Sequence, residues 1–167
     1  MKGTTMTLAL AVAAALVCLA SAQNITECPD GFEDFGDGTA VGPCLYFVRS
    51  KATWSNHRSL CQALGADLAQ VTGDLHQDVV DYINDQPADD LADEAFWIGG
   101  SDANKEGSWI WVMDDTAIPL GTPHWYPCNG QPNGGTTQNH LSLYSPDFYY
   151  HSLEQTKQIF AICQIFE

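Results

Sequence analysis

The placement of cysteines constrains this chain more than any other feature. Six occur among 167 residues. Cys18 lies in a segment that reads as a removable leader. Met1-Lys2 is a short basic start, Leu8 to Leu19 is an apolar run, and Ala20-Ser21-Ala22 is a small-residue cleavage signature. That is the layout of a secretory signal peptide over residues 1–22, with cleavage expected after Ala22. The apolar run is too short to span a bilayer. No later stretch is apolar enough to do so, and no membrane insertion is expected. The remaining chain, 23–167, is expected to be secreted and extracellular. It keeps Cys28, Cys44, Cys61, Cys128 and Cys163. In an oxidising compartment, an odd set of this size suggests two bridges and one leftover thiol.

The length suits one domain with a real core. Asn24-Ile25-Thr26 is a glycosylation sequon at the start of the mature chain, so Asn24 is expected to carry an exposed glycan. The formal net charge of −15 repels nucleic acid and anionic membranes. It keeps the surface soluble and suits cations, mineral surfaces or basic partners. No nucleophile elbow, zinc motif or phosphate loop is visible, so the chain is not expected to be an enzyme. His124, His140 and His151 fall in one half of the chain, but their spacing fits no standard zinc site.

Read in order, the chain opens with a Gly- and Asp-rich turn between Cys28 and Cys44, followed by a strand through Leu45 and Phe47. A helix begins at Thr53-Trp54-Ser55, with Ser55 the expected cap. Leu60, Cys61 and Leu64 fall on one face of it, and Gly65 stops it. A second helix begins near Thr72-Gly73-Asp74 and offers Val79, Val80, Tyr82 and Ile83 as its apolar side. Residues 85–94 read as an acidic, solvated loop. Phe96 to Gly100 reads as a buried strand, and Trp109 to Val112 as another. Residues 118–135 read as a turn-laden loop and the expected binding surface. His140 to Tyr144 and Gln158 to Phe166 close the fold as strands, the second of them central. Helices before strands point to α+β.

Taken together, these elements resemble the C-type lectin-like domain. The resemblance rests on the Cys28–Cys44 segment, Trp54 ahead of the Cys61 helix, Leu68-Ala69 and Trp97-Ile98-Gly99. It continues through Glu106-Gly107-Ser108-Trp109-Ile110-Trp111, Trp125 ahead of Gln131-Pro132-Asn133, and Phe160-Ala161-Ile162-Cys163. It covers nearly all of 23–167. It implies an α+β fold with two helices, two small antiparallel sheets and a long binding loop. It also implies that Cys28 pairs with Cys44 and Cys61 with Cys163. The longer bridge closes a loop of about 100 residues and is worth about 4–5 kcal/mol in the chain-entropy model. The family's other internal bridge would fall at His140 and near Gln155. Neither is cysteine, and a looser loop base is expected. Cys128 is left over, either as an intermolecular disulfide making a dimer or as a capped or buried thiol.

In sugar-binding members one calcium bridges protein and sugar. By this resemblance its ligand positions fall on Gln131, Asn133, Gln138, His151 and Ser152, with Pro132 expected in cis. The set contains no carboxylate. Calcium is a hard cation that depends on anionic oxygen ligands, so calcium is expected to be weak or absent at the sugar position. Gln131-Pro132-Asn133 mixes the family's mannose-type and galactose-type triplets and assigns no sugar. A second family calcium position falls on Asp102 and Glu106, with Asn139 able to add an oxygen. The acid expected just after the triplet is Gly134. Tyr126, Phe148, Tyr149 and Tyr150 divide between core packing and an exposed aromatic surface.

The expected task is carbohydrate binding by a secreted lectin, with glycans on cell or microbial surfaces as partners and pattern recognition in innate immunity as the setting. The competing expectation is a module of the same shape that binds a protein or mineral surface without sugar or calcium.

Overall fold

The computed structural model describes residues 26–87 and 91–166. The leader, Asn24 and residues 88–90 of the acidic stretch lie outside the described residues. Eight strands and two helices follow in the order β1 (Glu33–Asp34), β2 (Cys44–Ala52), α1 (Trp54–Ala63), β3 (Asp67–Leu68), α2 (Asp74–Asp85), β4 (Phe96–Ser101), β5 (Ile110–Trp111), β6 (His140–Tyr144), β7 (Tyr149–Leu153) and β8 (Ile159–Gln164). The class is α+β.

The expected two small antiparallel sheets are present as ladders but are not separate. They form one mixed sheet in the order β1-β2-β8-β4-β6-β7, with β3 on β8 and β5 on β4. The join is a short parallel pairing of β4 with β8, at Phe96–Phe160 and Trp97–Ala161. Beyond Trp97, β4 turns to a different partner. The Gly99 N–H donates to the Ala69 carbonyl at 2.8 Å. A side chain at Gly99 would meet the Leu68 carbonyl oxygen at 2.5 Å, so this approach needs glycine.

β8 is central because nearly all of it is apolar, which suits a strand covered on both faces. Ile162 points into the larger core with Phe96, Ile98, Leu141 and Leu143, against Val79 and Ile83 of α2. Ala161 and Cys163 point the other way, with Trp97, Leu68 and Trp54, under α1. The two-residue period of the strands thus builds a core on each side of the sheet.

The helix ends correct two expectations. Thr53, not Ser55, caps α1: its hydroxyl accepts from the Asn56 N–H at 3.4 Å. Starting two residues earlier lets Trp54 bury its ring and donate its indole N–H to the Ile98 carbonyl at 2.9 Å. The inward stripe is then Trp54, His57 and Cys61, while Leu60 and Leu64 are exposed. Gly65 ends the helix as expected, at φ +75°. Gly65 donates to Gln62 and Ala66 to Cys61, which satisfies two terminal carbonyls. In α2, His76 joins Val79 and Ile83 on the buried face, while Val80 and Tyr82 are half-buried.

Cys28 is bonded to Cys44 and Cys61 to Cys163. Cys128 is free and exposed, so a buried thiol is excluded. Among the described residues no helix is long and apolar enough to cross a membrane.

Candidate functional site

Residues 118–135 leave the sheet as a long loop pinned by Trp125. Its ring is buried against Trp109 at 5.1 Å, and its indole N–H donates to the Pro119 carbonyl at 3.0 Å. The Gln131–Pro132 peptide is cis, as are Thr122–Pro123 and Ser145–Pro146.

The loop returns beside β7, which is the edge strand of the sheet. There the residues mapped to the sugar position meet. Ser152, fully buried, is the hub. Its backbone N–H donates to Gln131 Oε1 at 2.9 Å, and its hydroxyl lies 3.0 Å from the same atom and 3.2 Å from Gln138 Oε1. The Asn133 N–H donates to Ser152 Oγ at 3.3 Å. Gln131 Nε2 lies 3.2 Å from His151 Nδ1 and donates to it, which puts the imidazole hydrogen on Nε2. The Asn133 amide turns to the Asn129 carbonyl at 3.3 Å. Burial holds His151 below its ordinary pKa, partly offset by Asp147.

Five residues spread over 131–152 therefore converge, but they satisfy one another. The cluster has no carboxylate, Gln131 Oε1 already accepts from the Ser152 N–H, and the Gln131 and Gln138 oxygens share the one hydroxyl hydrogen of Ser152. This donor set does not fit calcium.

The second position differs. Asp102 is buried, and one carboxylate oxygen accepts from the Gly107 N–H at 2.8 Å. Its other oxygen and the side-chain oxygen of Asn139 are buried with no partner. Burial pushes the Asp102 carboxyl above the usual carboxylate range. Asp102 and the exposed Glu106 line a cavity of about 460 Å³ with Trp109, Gln131, Asn133 and Gln138. Trp109, whose buried indole N–H also lacks a partner, faces this space. Two orphaned hard oxygens are what a hard cation takes, so Asp102 and Asn139 fit one better than the sugar-position set does. Among the described residues, no three His, Cys, Asp or Glu side chains converge on a metal-sized point. Gly134 stands where the family acid was expected. A side chain there would run into Gln138 at 2.2 Å, so the space that acid would need is filled.

Beside the amide cluster lies an aromatic stack that sequence reasoning placed only in part. His151 stands between Tyr126 at 4.9 Å and Tyr144 at 5.2 Å, and Tyr149 meets Tyr126 at 5.9 Å. Of the four rings weighed from sequence, Phe148 and Tyr150 are core, and Tyr126 and Tyr149 are half-exposed. The alternation of β7 explains the division: Tyr150 and Ser152 point in, Tyr149 and His151 point out.

Comparison with known proteins fits this architecture. The profile of the lectin C-type domain matches residues 50–164. The chain belongs to the C-type lectin domain family. CD209 antigen-like protein D of Mus musculus is 29% identical over 123 residues, which is 74% of this chain and 48% of that protein. The chain thus spans about half the length of this curated relative. A calcium-independent type II antifreeze protein superposes with a TM-score of 0.63 at 25% identity, over 82% of this chain and 92% of that one. The cow CD23 carbohydrate-recognition domain, crystallised in the presence of a GlcNAc2Man3 oligosaccharide, gives 0.64 at 24% identity, over 82% and 94%. The family is generally one of binding rather than catalysis, and it includes calcium-dependent and calcium-independent folds.

Proposed function

We propose that this C-type lectin domain is a secreted carbohydrate-binding protein and not an enzyme. It reads glycans on cell or microbial surfaces, as a pattern-recognition lectin of innate immunity. The observation that carries this reading is the convergence of Gln131, Asn133, Gln138, His151 and Ser152 beside the Tyr126–His151–Tyr144 stack. The half-buried amides of Gln131 and Gln138 and the exposed Asn133, ordered by the buried Ser152 beside aromatic faces, are groups that recognise a sugar without a metal. Calcium is not required at the sugar position. Where calcium binds, it sits with Asp102, Glu106 and Asn139 and supports the loop base. The leader over 1–22, secretion and a glycan on Asn24 belong to the same proposal. N-terminal sequencing and intact mass, before and after deglycosylation, check them. The exposed Cys128 joins two copies in this reading, and a dimer band on non-reducing electrophoresis that collapses on reduction is the check.

The deciding experiment is a glycan array with the mature domain, run with calcium and again with chelator. Binding that survives chelation supports the proposal. Binding lost on chelation refutes the metal-free site. No binding in either condition favours the second reading, a protein or mineral surface recognised without sugar or calcium. The likeness to a calcium-independent antifreeze protein and the neutral cluster support that second reading.

A further inference from the structure

Away from the amide cluster, two histidines from distant parts of the chain meet in a second cavity of about 300 Å³. His76 comes from the first turn of α2 and His124 from the long loop. Their Nδ1 atoms lie 2.7 Å apart. His76 Nε2 lies 2.7 Å from the Phe148 carbonyl oxygen. Both rings stack on Tyr150, at 5.1 and 5.2 Å.

The hydrogens can be assigned from this geometry. A carbonyl oxygen only accepts, so His76 Nε2 carries a hydrogen. Neutral His76 therefore presents a lone pair at Nδ1. The short contact needs one hydrogen between the two nitrogens, so His124 donates from its Nδ1 and keeps a lone pair at Nε2. One added proton goes to His124 Nε2 and leaves the contact whole. A second, on His76 Nδ1, sets two N–H groups and two positive charges head to head.

We infer that His76 and His124 form a latch that holds the long loop on α2 at neutral pH and releases it in acid, once both rings are charged. The backbone of the loop depends on the same residue. The Tyr150 N–H donates to the His124 carbonyl at 2.7 Å, and the Tyr126 N–H to the Tyr150 carbonyl at 3.2 Å. Displacing His124 loosens this ladder between loop and β7.

The other titratable groups around the pair are few. Tyr150 from β7 donates its hydroxyl to the Val71 carbonyl, and burial keeps it protonated. Asp147, from the turn between β6 and β7, and Tyr149 line the cavity wall. Asp74 and Asp78 of α2 face a different cavity, with Asp34 and Asp37. Burial holds both histidines below their ordinary value, and the charge of His124 lowers His76 further. Released, each returns towards about 6.5. The open form binds more protons, so acid favours opening. Each extra proton bound steepens the opening by about tenfold per pH unit. The loop carries Gln131 and Asn133, so control of ligand binding rests on the proposed function, but the latch itself does not.

The test uses isotope-labelled protein. Long-range nitrogen–hydrogen correlation at neutral pH should show His76 in the Nε2–H form and His124 in the Nδ1–H form. Amide exchange, corrected for intrinsic rates, should then be followed into acid. Tyr126 and Tyr150 should lose protection before Ala161 and Ile162 of β8, by about tenfold or more. His124→Asn should retain that protection, because its amide can either donate to His76 or accept from it. The opposite tautomer at His76 overturns the inference. So does simultaneous loss of protection in β8, or a His124→Asn protein that opens like the parent. No ligand enters these readouts, so failure of the lectin reading leaves them interpretable.

Discussion

Gln131 holds Ser152 at two points. Its Oε1 accepts the Ser152 backbone N–H at 2.9 Å and lies 3.0 Å from the hydroxyl. β7 is the edge strand of the sheet, and Ser152 is fully buried. One side-chain oxygen thus does for this edge what a neighbouring strand would do, and it fixes the loop in the same stroke. Gln131→Ala strands a buried N–H. The expected loss is about 1–3 kcal/mol in urea unfolding. Gln131→Glu keeps both acceptor contacts, and its second oxygen can meet His151 once the imidazole hydrogen moves to Nδ1. Its stability should lie much closer to that of the parent.

The histidines make the fold acid-sensitive. His140 is packed against Trp54 at 4.4 Å and has a buried, unpartnered Nδ1. Burial pushes its pKa down to about 4. His57 is also buried, with Nε2 bonded to the Ile159 carbonyl at 2.8 Å and its pKa lowered by burial. A depressed base binds fewer protons in the folded state than in the unfolded one, so stability falls as pH falls. The contribution is whole above about 6.5, declines towards about 4 and is flat below. Allowing for partial water access, His140 alone costs about 2 kcal/mol over that window. His140→Phe should flatten the pH dependence of chemical unfolding without lowering stability at neutral pH by a similar amount.

The Cys61–Cys163 bridge joins α1 to β8 across a sequence separation of 102. Replacing both cysteines by alanine should cost about 4–5 kcal/mol by the chain-entropy argument. The Cys28–Cys44 bridge closes a separation of 16 and should cost about 3 kcal/mol. Paired unfolding curves of the two double variants check the order. A larger loss from the shorter bridge would show that strain or residual unfolded structure outweighs loop length.

Much of this was legible before the structure. The central strand was visible in Ile159 to Cys163 because an unbroken apolar run needs cover on both faces. Its partner Phe96 to Gly100 was visible for the same reason. β7 was not read as a strand, because Tyr149 to Leu153 mixes aromatic and polar residues whose alternation only makes sense beside the loop. Of the three α1 residues grouped on one face by spacing, Cys61 is buried but Leu60 and Leu64 are exposed. Apolar spacing cannot register that His57 would bury itself by bonding a distant carbonyl. The His76–His124 contact was also invisible, since only the fold brings residues 48 apart in sequence to within hydrogen-bonding distance. The mapped sugar-position residues do converge. What sequence could not show is that they neutralise one another.

That mutual satisfaction predicts how calcium binding could be introduced. The sugar-position cluster is neutral, and Ser152 fills its centre with a hydroxyl. Ser152→Asp with Gln138→Glu places two carboxylates where two neutral oxygens now meet. Without metal, these charges face Gln131 Oε1 in a buried setting, and the variant should be less stable by about 1–3 kcal/mol. Calcium offsets that repulsion, because anionic oxygens are what it lacks here. Millimolar calcium should therefore raise the melting temperature of the double variant and leave the parent's response at this position unchanged. Asp102→Asn in both backgrounds separates any contribution from the second position. A calcium response in the parent that survives Asp102→Asn would show that the neutral cluster binds the metal after all.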